Sequence, residues 1–158
     1  MTEKDEQKHP KRPRIKHFSY EGYFAYFLTV CTHSKNKLFT SNEIVEPILK
    51  YLKETSLQFG FQIYAYCFMP DHLHILVLAE NVNASLKNFV KIFKQKSGYY
   101  FKQKYRIKLW QPSFYDHILR RRESLNSIAE YIFFNPIRKK LVKNYKEYPY
   151  LGSLMFNI

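Results

Sequence analysis

Two histidines stand one residue apart in the segment Met69-Pro70-Asp71-His72-Leu73-His74, where a strongly apolar run begins. In an extended strand the side chains of residues i and i+2 point to the same face, about 6.5–7 Å apart along the strand. His72 and His74 could therefore both reach one metal ion, while the opposite face would pack into a core through Leu73, Ile75 and Val77. Taken alone, two histidines at this spacing are more often packing or surface residues than metal ligands.

A tyrosine and an asparagine lie four residues apart in the segment Glu130-Tyr131-Ile132-Phe133-Phe134-Asn135-Pro136, near the end of a predicted helix. On a helical wheel Tyr131 and Asn135 fall beside each other, on one border of the apolar stripe. A phenol and a carboxamide would thus be presented together where the helix meets the sheet. The alternative is a tyrosine at the edge of the core followed by a helix-ending Asn-Pro.

The elements that must position these groups follow the order β-α-β-β-α-β with an added C-terminal helix that carries Tyr131. This is the order of an α+β, ferredoxin-like split βαβ fold with an antiparallel sheet. Runs of aromatic and β-branched residues predict the strands, at residues 23–32, 61–68, 72–79 and 114–119. Apolar spacing and capping residues predict the helices: from Ser41 to about Gln58, closed by Gly60; from a cap at Asn83 or Ser85 through Tyr100; and from Ser124 to about Phe134, stopped by Pro136.

The composition is that of one globular domain, and its charge fits either a polyanionic partner or a soluble protein that is merely basic. The chain has 158 residues, of which 46% are hydrophobic and 18% aromatic, so wholesale disorder is excluded. Lys and Arg number 26 against 13 Asp and Glu, which gives a net charge of +13. Such a charge promotes fast, salt-sensitive association with nucleic acid.

The cysteines and the hydropathy favour a cytoplasmic protein. Cys31 and Cys67 each fall in a predicted strand, where they are interpreted as small core residues of a reduced protein and not as a disulfide framework. No apolar stretch reaches the length of a membrane span. The N-terminus lacks the hydrophobic core of a secretion signal.

Basic residues are the candidates for phosphate contact. Residues 1–17 are predicted to be a flexible basic arm, which could equally be a leader with no task. The expected nucleic-acid-binding residues are Arg12 and Arg14 in this arm, Lys94 and Lys96 on the second helix, and Arg120, Arg121 and Arg122 before the third helix. Residues 18–153 form the predicted catalytic domain, and residues 154–158 a short tail.

An ordered set of segments resembles the REP-associated tyrosine transposases, members of the histidine–hydrophobic–histidine (HUH) superfamily of single-strand nucleases. These are relatives of the single-tyrosine transposases of small insertion sequences. Each motif is weak alone, but together they cover most of residues 20–153. The matching segments are Phe68-Met69-Pro70-Asp71-His72-Leu73-His74, Trp110-Gln111-Pro112-Ser113-Phe114-Tyr115-Asp116-His117, Glu130-Tyr131-Ile132-Phe133-Phe134-Asn135-Pro136 and the closing Tyr148-Pro149-Tyr150-Leu151-Gly152-Ser153.

The resemblance implies that Tyr131 is the nucleophile, that His72 and His74 are metal ligands, and that Asn135 is the third ligand. It also places Trp110 and Gln111 around the site, as candidates for nucleic-acid binding. Mg²⁺ would fit the reaction, and Mn²⁺ fits nitrogen-containing ligands better. The implied activity is metal-dependent cleavage and rejoining of single-stranded DNA through a 5′-phosphotyrosine, in DNA transposition on hairpin or palindromic DNA.

Two other functions stay open at this point. The first is a non-catalytic, domesticated nucleic-acid-binding protein on the same fold, and the second is an RNA-binding module. His117 is a further acid–base candidate, supported only by its residue type in a strand. No nucleotide cofactor and no membrane partner are expected, and the protein would be a monomer or a homodimer.

Overall fold

The computed structural model describes residues 24–119 and 125–158. The predicted basic arm with Arg12 and Arg14, and the run Arg120–Arg122, lie outside the described residues. The predictions made for them therefore stay predictions. Among the described residues, no helix has both the length and the apolar character needed to cross a membrane.

A five-stranded antiparallel sheet in the order β4-β1-β3-β2-β5 forms the centre of the fold. Its strands are β1 (Ala25–Cys31), β2 (Phe61–Met69), β3 (His72–Ala79), β4 (Tyr115–Ile118) and β5 (Leu151–Gly152). The helices are α1 (Asn42–Phe59), α2 (Leu86–Tyr105), α3 (Leu125–Phe133) and the short α4 (Asn135–Arg138), with 3₁₀ turns at His33–Lys35 and Tyr145–Glu147. The predicted α+β fold is confirmed.

The two faces of the sheet pack against different helices, and β3 contributes to both faces by strict alternation. The face covered by α1 and α2 buries Leu73, Ile75 and Val77, as predicted. The opposite face is covered by α3 and includes Leu76 together with Phe27 and Cys67 of the neighbouring strands. Because side chains alternate along a strand, His72 and His74 belong to the α3 face.

Gly60 and Ser85 set two boundaries of these elements, and Gly152 allows a close contact within the sheet. Gly60 ends α1 in the left-handed conformation at φ 76°, as its position predicted. Ser85, and not Asn83, caps α2, since its side chain accepts a hydrogen bond from the backbone N–H of Asn88. Gly152 lies so close to Tyr66 that an added Cβ would be 2.8 Å from the tyrosine oxygen, so a side chain there would require β5 or the Tyr66 ring to shift.

The C-terminal third contains two short elements that the sequence did not predict. Strand β5 was not predicted, because a strand of two residues is too short to show an alternating pattern. The third predicted helix ends at Phe133, before Pro136 as expected, but the chain then forms a further helical turn, α4, with Pro136 near its start. Proline is tolerated there because the first turn of a helix leaves its backbone N–H groups without intrahelical acceptors.

Trp110 lies in the core between the sheet and α2. Its indole ring is 4% exposed and packs at 5.5 Å from the ring of Phe39 and 5.7 Å from that of Phe93. The indole N–H donates a hydrogen bond of 2.9 Å to the hydroxyl of Ser97, which is itself buried. A ring enclosed in this way has no face left for a nucleic-acid base.

Replacing Ser97 by alanine removes the acceptor of this buried indole N–H. We expect Ser97→Ala to lower the free energy of unfolding by about 1–3 kcal/mol, the cost of an unsatisfied buried donor. Urea unfolding followed by the fluorescence of Trp110, the one tryptophan of the sequence, measures this. Gln95→Ala, an exposed position on the same helix, is the control and should leave the midpoint unchanged. Equal midpoints for both variants would contradict the structural role of the bond.

Candidate active site

The tip of the β2–β3 hairpin places the first histidine and is itself held by the segment that follows β1. The carbonyl of Pro70 accepts hydrogen bonds of 2.8 and 3.0 Å from the N–H groups of Leu38 and Phe39. The carbonyl of Asp71 accepts hydrogen bonds of 3.0 Å from both the N–H and the hydroxyl of Thr32. These hydrogen bonds attach the backbone at the start of β3 to the segment that follows β1.

The two imidazoles converge at their Nε2 atoms, which lie 3.1 Å apart. Each Nδ1 atom has a partner on the far side of its ring: Asp71 Oδ1 at 2.6 Å from His72, and Thr29 Oγ1 at 2.9 Å from His74. The hydrogen bond from His72 holds the pKa of the Asp71 carboxyl below its usual value, against the effect of burial. Because an ionised carboxylate can only accept, His72 carries its proton on Nδ1 and directs the Nε2 lone pair at His74.

The hydrogen bond between the Thr29 hydroxyl and Nδ1 of His74 is compatible with either neutral tautomer of His74. A hydroxyl can donate or accept, so the Thr29 hydroxyl can donate to Nδ1 while the His74 Nε2–H donates to His72. It can equally accept from Nδ1–H, which leaves two Nε2 lone pairs directed at each other. The second arrangement needs a cation between the rings, and the outer hydrogen bonds are of the kind that orient metal-binding histidines.

The residues present fit a divalent ion with open coordination positions. Two ligand atoms at right angles, on bonds of about 2.1 Å, stand about 3.0 Å apart, close to the 3.1 Å between the imidazole nitrogens. In the part of the chain that the structure describes, no group of three or more His, Cys, Asp or Glu side chains is placed to hold a metal. The remaining protein ligand would be a neutral oxygen, and such a set suits Mg²⁺ or Mn²⁺ better than a closed zinc site.

Helix α3 brings Tyr131 to these histidines. The centroid of the phenol ring is 6.5 Å from that of His74, and the ring of Phe27 contacts both, at 6.0 Å from Tyr131 and 5.2 Å from His74. Burial raises the pKa of the Tyr131 phenol, while the nearby charge of Arg138 and hydrogen bonding to it act to lower it. The phenol is therefore protonated at neutral pH and must lose its proton to act as a nucleophile.

Asn135 lies one helical turn beyond Tyr131, as the first residue of α4. It is 5% exposed. A buried carboxamide is costly unless its polar atoms have partners, which is consistent with its predicted place as a metal ligand. The fold thus gathers His72, His74 and Tyr131 in one cluster and places Asn135 on the next turn of the Tyr131 helix.

Other candidates from the sequence lie elsewhere. Trp110 was expected beside the site, but it is enclosed in the core on the α1–α2 face, because it fills the space between Phe39 and Phe93. The ammonium group of Lys94 donates hydrogen bonds to the backbone carbonyls of Gln111 (2.8 Å) and Ser113 (2.6 Å), so it braces the segment before β4.

Lys96 and His117 lie on opposite sides of the sheet. Lys96 is exposed on α2, with its ammonium group 3.5 Å from the side-chain oxygen of Gln58 at the end of α1. This position is on the α1–α2 side and not on the face of the histidines. His117 pairs with Phe27 across β1 and β4, which places it on the same face of the sheet as His74.

Three site residues were not selected from the sequence: Phe27, Thr29 and Asp71. The strand register could have found Thr29, since it is paired with His74. A carboxylate next to a possible ligand was the signal for Asp71. Phe27 gave no signal of its own, because an aromatic residue in a strand is common.

Comparison with known proteins now identifies the family. A family described as "Transposase IS200 like" matches residues 21–134 of this chain. This chain belongs to the IS200-like transposase family. Members of this family act in DNA transposition, and the resemblance found in the sequence motifs is confirmed.

Individual relatives agree with this membership. The chain is 32% identical over 136 residues to a provisionally named REP-associated tyrosine transposase of Haemophilus influenzae, covering 79% of this chain and 77% of that protein. It is 29% identical over 92 residues to the REP-associated tyrosine transposase of Escherichia coli, covering 57% of this chain and 53% of that protein.

Solved structures share the fold. A REP-associated tyrosine transposase bound to a REP hairpin superposes with a TM-score of 0.72 at 19% identity, covering 89% of this chain and 82% of that one. A crystal structure reported as a transposase from Deinococcus radiodurans, also provisionally named, gives a TM-score of 0.53 at 20% identity, covering 82% of this chain and 95% of that one.

The bond between Asp71 and His72 gives a test of the metal site that requires no DNA. We expect Asp71→Asn to weaken Mn²⁺ binding about tenfold, because the amide no longer fixes the proton on Nδ1 of His72. Isothermal titration of the chain with Mn²⁺ alone measures this. Glu80→Gln, which removes an exposed carboxylate at the far end of β3, is the matched control. The same affinity in both variants would show that Asp71 does not orient a metal ligand.

Proposed function

We propose that this chain is a metal-dependent DNA transposase that cleaves and rejoins single-stranded DNA through a 5′-phosphotyrosine at Tyr131. The observation that carries the proposal is the contact of the Tyr131 ring with His74, whose Nε2 atom is 3.1 Å from that of His72. This contact puts the one group in the cluster able to form a stable phosphoester beside a pair of nitrogen ligands. Membership of the IS200-like family supports the same assignment.

The chemistry is one exchange of phosphoesters. The Tyr131 phenol loses its proton and its oxygen attacks the phosphorus in line with the 3′ oxygen of the scissile bond. The bond between phosphorus and the 3′ oxygen breaks, and that oxygen leaves with the electron pair and takes up a proton. The products are a 3′-hydroxyl and a 5′-phosphotyrosine. A 3′-hydroxyl of another strand can attack this ester in the reverse sense, so no nucleotide cofactor is needed to rejoin DNA.

The residues around the tyrosine have distinct parts in this reaction. His72, His74 and Asn135 would hold Mg²⁺ or Mn²⁺, and the bound ion would neutralise charge on the phosphate. Asp71 and Thr29 orient the two imidazoles through their Nδ1 atoms. Phe27 fills the space between His74 and Tyr131 and keeps the two rings at a fixed separation.

The substrate we propose is hairpin or palindromic DNA with an adjacent single-stranded stretch. A fold relative is bound to a REP hairpin, and the net charge of +13 favours a polyanion. The candidate phosphate contacts are Arg12, Arg14, Arg120, Arg121 and Arg122 from the sequence, with Lys94 and Lys96 on the far side of the sheet. Gln111 is a candidate only through the family resemblance.

The first prediction of this proposal concerns the nucleophile. Incubation of the protein with labelled hairpin DNA and Mn²⁺ should give a protein–DNA band that resists denaturation. Tyr131→Phe should reduce this band at least about a thousandfold, as loss of a nucleophile does, without loss of DNA binding. Tyr99→Phe, which changes a tyrosine that is 70% exposed on α2, should leave it unchanged.

Each outcome of this assay selects a function. Binding of DNA without any covalent band in the wild-type protein would favour the non-catalytic binding protein. Tighter binding of a matched RNA hairpin than of DNA would favour the RNA-binding module. A covalent band that persists in Tyr131→Phe would show that another residue is the nucleophile.

The second prediction concerns the metal. Chelation with EDTA should abolish the covalent band, and added Mn²⁺ or Mg²⁺ should restore it. His74→Ala should lower band formation at least about a hundredfold at saturating DNA, because one ligand is lost, and it should raise the Mn²⁺ concentration needed. Full activity in EDTA, or an unchanged metal requirement in His74→Ala, would contradict a metal site at these histidines.

A further inference from the structure

Arg138 contacts Tyr131 at two points. Its guanidinium carbon lies 4.0 Å from the centroid of the Tyr131 ring. One of its nitrogens also donates a hydrogen bond to the backbone carbonyl of Tyr131. The arginine therefore reaches back from the end of α4 to the last turn of α3 and lies on the predicted nucleophile.

Arg138 follows the break between α3, which ends at Phe133, and α4, which begins at Asn135. Pro136 has no backbone N–H, so it cannot continue the hydrogen-bond ladder of α3. The chain instead turns into α4, whose last residue, Arg138, donates its backbone N–H to the carbonyl of Phe134. Arginine side chains often cap carbonyl groups at helix ends, and this gives Arg138 a structural part at the end of α3.

Capping the Tyr131 carbonyl uses one donor of the Arg138 guanidinium group and does not explain its charge or its other donors. Within residues 24–119 and 125–158 the ion pairs join Lys50 to Glu54, Lys104 to Glu43 and His72 to Asp71, so no carboxylate of these residues neutralises Arg138. The side chain is exposed, and a guanidinium has five N–H donors. The positive charge thus lies at the surface beside the phenol ring, and hydrogen bonding to the phenol itself also acts to lower the pKa of Tyr131.

We propose that Arg138 binds the scissile phosphate of the DNA and presents it to the Tyr131 oxygen. This inference rests on the proposed function of Tyr131 and adds a substrate contact to it. A planar guanidinium can stack on a ring with its face and bind phosphate oxygens with its edge, which a lysine cannot do. Arg138 would thereby couple the position of the nucleophile to that of its target.

The test compares two DNA ligands that differ only in one charge. The cleavage position is first mapped from the covalent product of the wild-type protein. Affinities are then measured in a Tyr131→Phe background, which keeps the aromatic ring but does not cleave. One oligonucleotide has the natural phosphate at the mapped position, and the other has an uncharged methylphosphonate there.

We expect the natural phosphate to be bound about tenfold more tightly when Arg138 is present, the effect of a hydrogen bond to a charged group. Arg138→Gln, which keeps a donor for the Tyr131 carbonyl but has no charge, should lose this tenfold part of the preference. Arg138→Lys should retain part of the preference. Lys139→Ala, which removes the neighbouring exposed charge, should retain all of it.

The outcomes separate this inference from the proposed function. A wild-type covalent product together with an undiminished preference in Arg138→Gln would overturn the inference and leave Arg138 as a helix cap only. Absence of a covalent product in the wild-type protein would overturn both. If Arg138→Gln unfolds, as shown by Trp110 fluorescence, loss of the preference in Arg138→Ala with retention in Arg138→Lys supports the inference, and its retention in Arg138→Ala overturns it.

Discussion

The convergence of two imidazole nitrogens at 3.1 Å is the constraint on which the candidate site depends. It follows from the alternation of side chains in β3, which puts His72 and His74 on one face and buries Leu73 on the other. A shift of one residue in the register of β3 would exchange these faces and bury the histidines among α1 and α2. The apolar core on the other side of the sheet therefore fixes the chemistry on this side.

The packing of α3 on the sheet brings the tyrosine to the histidines. Helix α3 buries Ala129, Ile132 and Phe133 against the sheet. Tyr131 lies at the border of this buried stripe, so its ring contacts Phe27 and His74 while it stays half-buried. The position has a cost, because the same burial raises the pKa of the phenol. A positive charge nearby opposes this effect, and Arg138 supplies it from the following turn.

One face of the sheet carries the larger hydrophobic core, and the other face carries the candidate site. The α1–α2 face contains a large aromatic core that includes Phe39, Phe93 and Trp110, and Lys94 ties the segment before β4 to α2. The α3 face has a smaller core and holds the polar groups. The candidate site is also supported from outside the α3 face. Thr32 and Phe39 donate hydrogen bonds to the hairpin tip that precedes His72. Site geometry thus depends on core packing some distance from the site.

The sequence by itself determined the order of the elements, the alternation in β3 and the segments that carry His72, His74, Tyr131 and Asn135. Local periodicity encodes these features directly, because the period of a strand or helix is visible in a few consecutive residues. The tertiary structure alone decided that Thr29 and Asp71 hold the imidazoles, that Trp110 is enclosed in the core and that Arg138 covers the Tyr131 ring. These contacts depend on strand register and on the angle between α3 and α4, and a single sequence does not encode either in a local pattern. Strand β5 escaped prediction for the same reason, since pairing with β2 defines it.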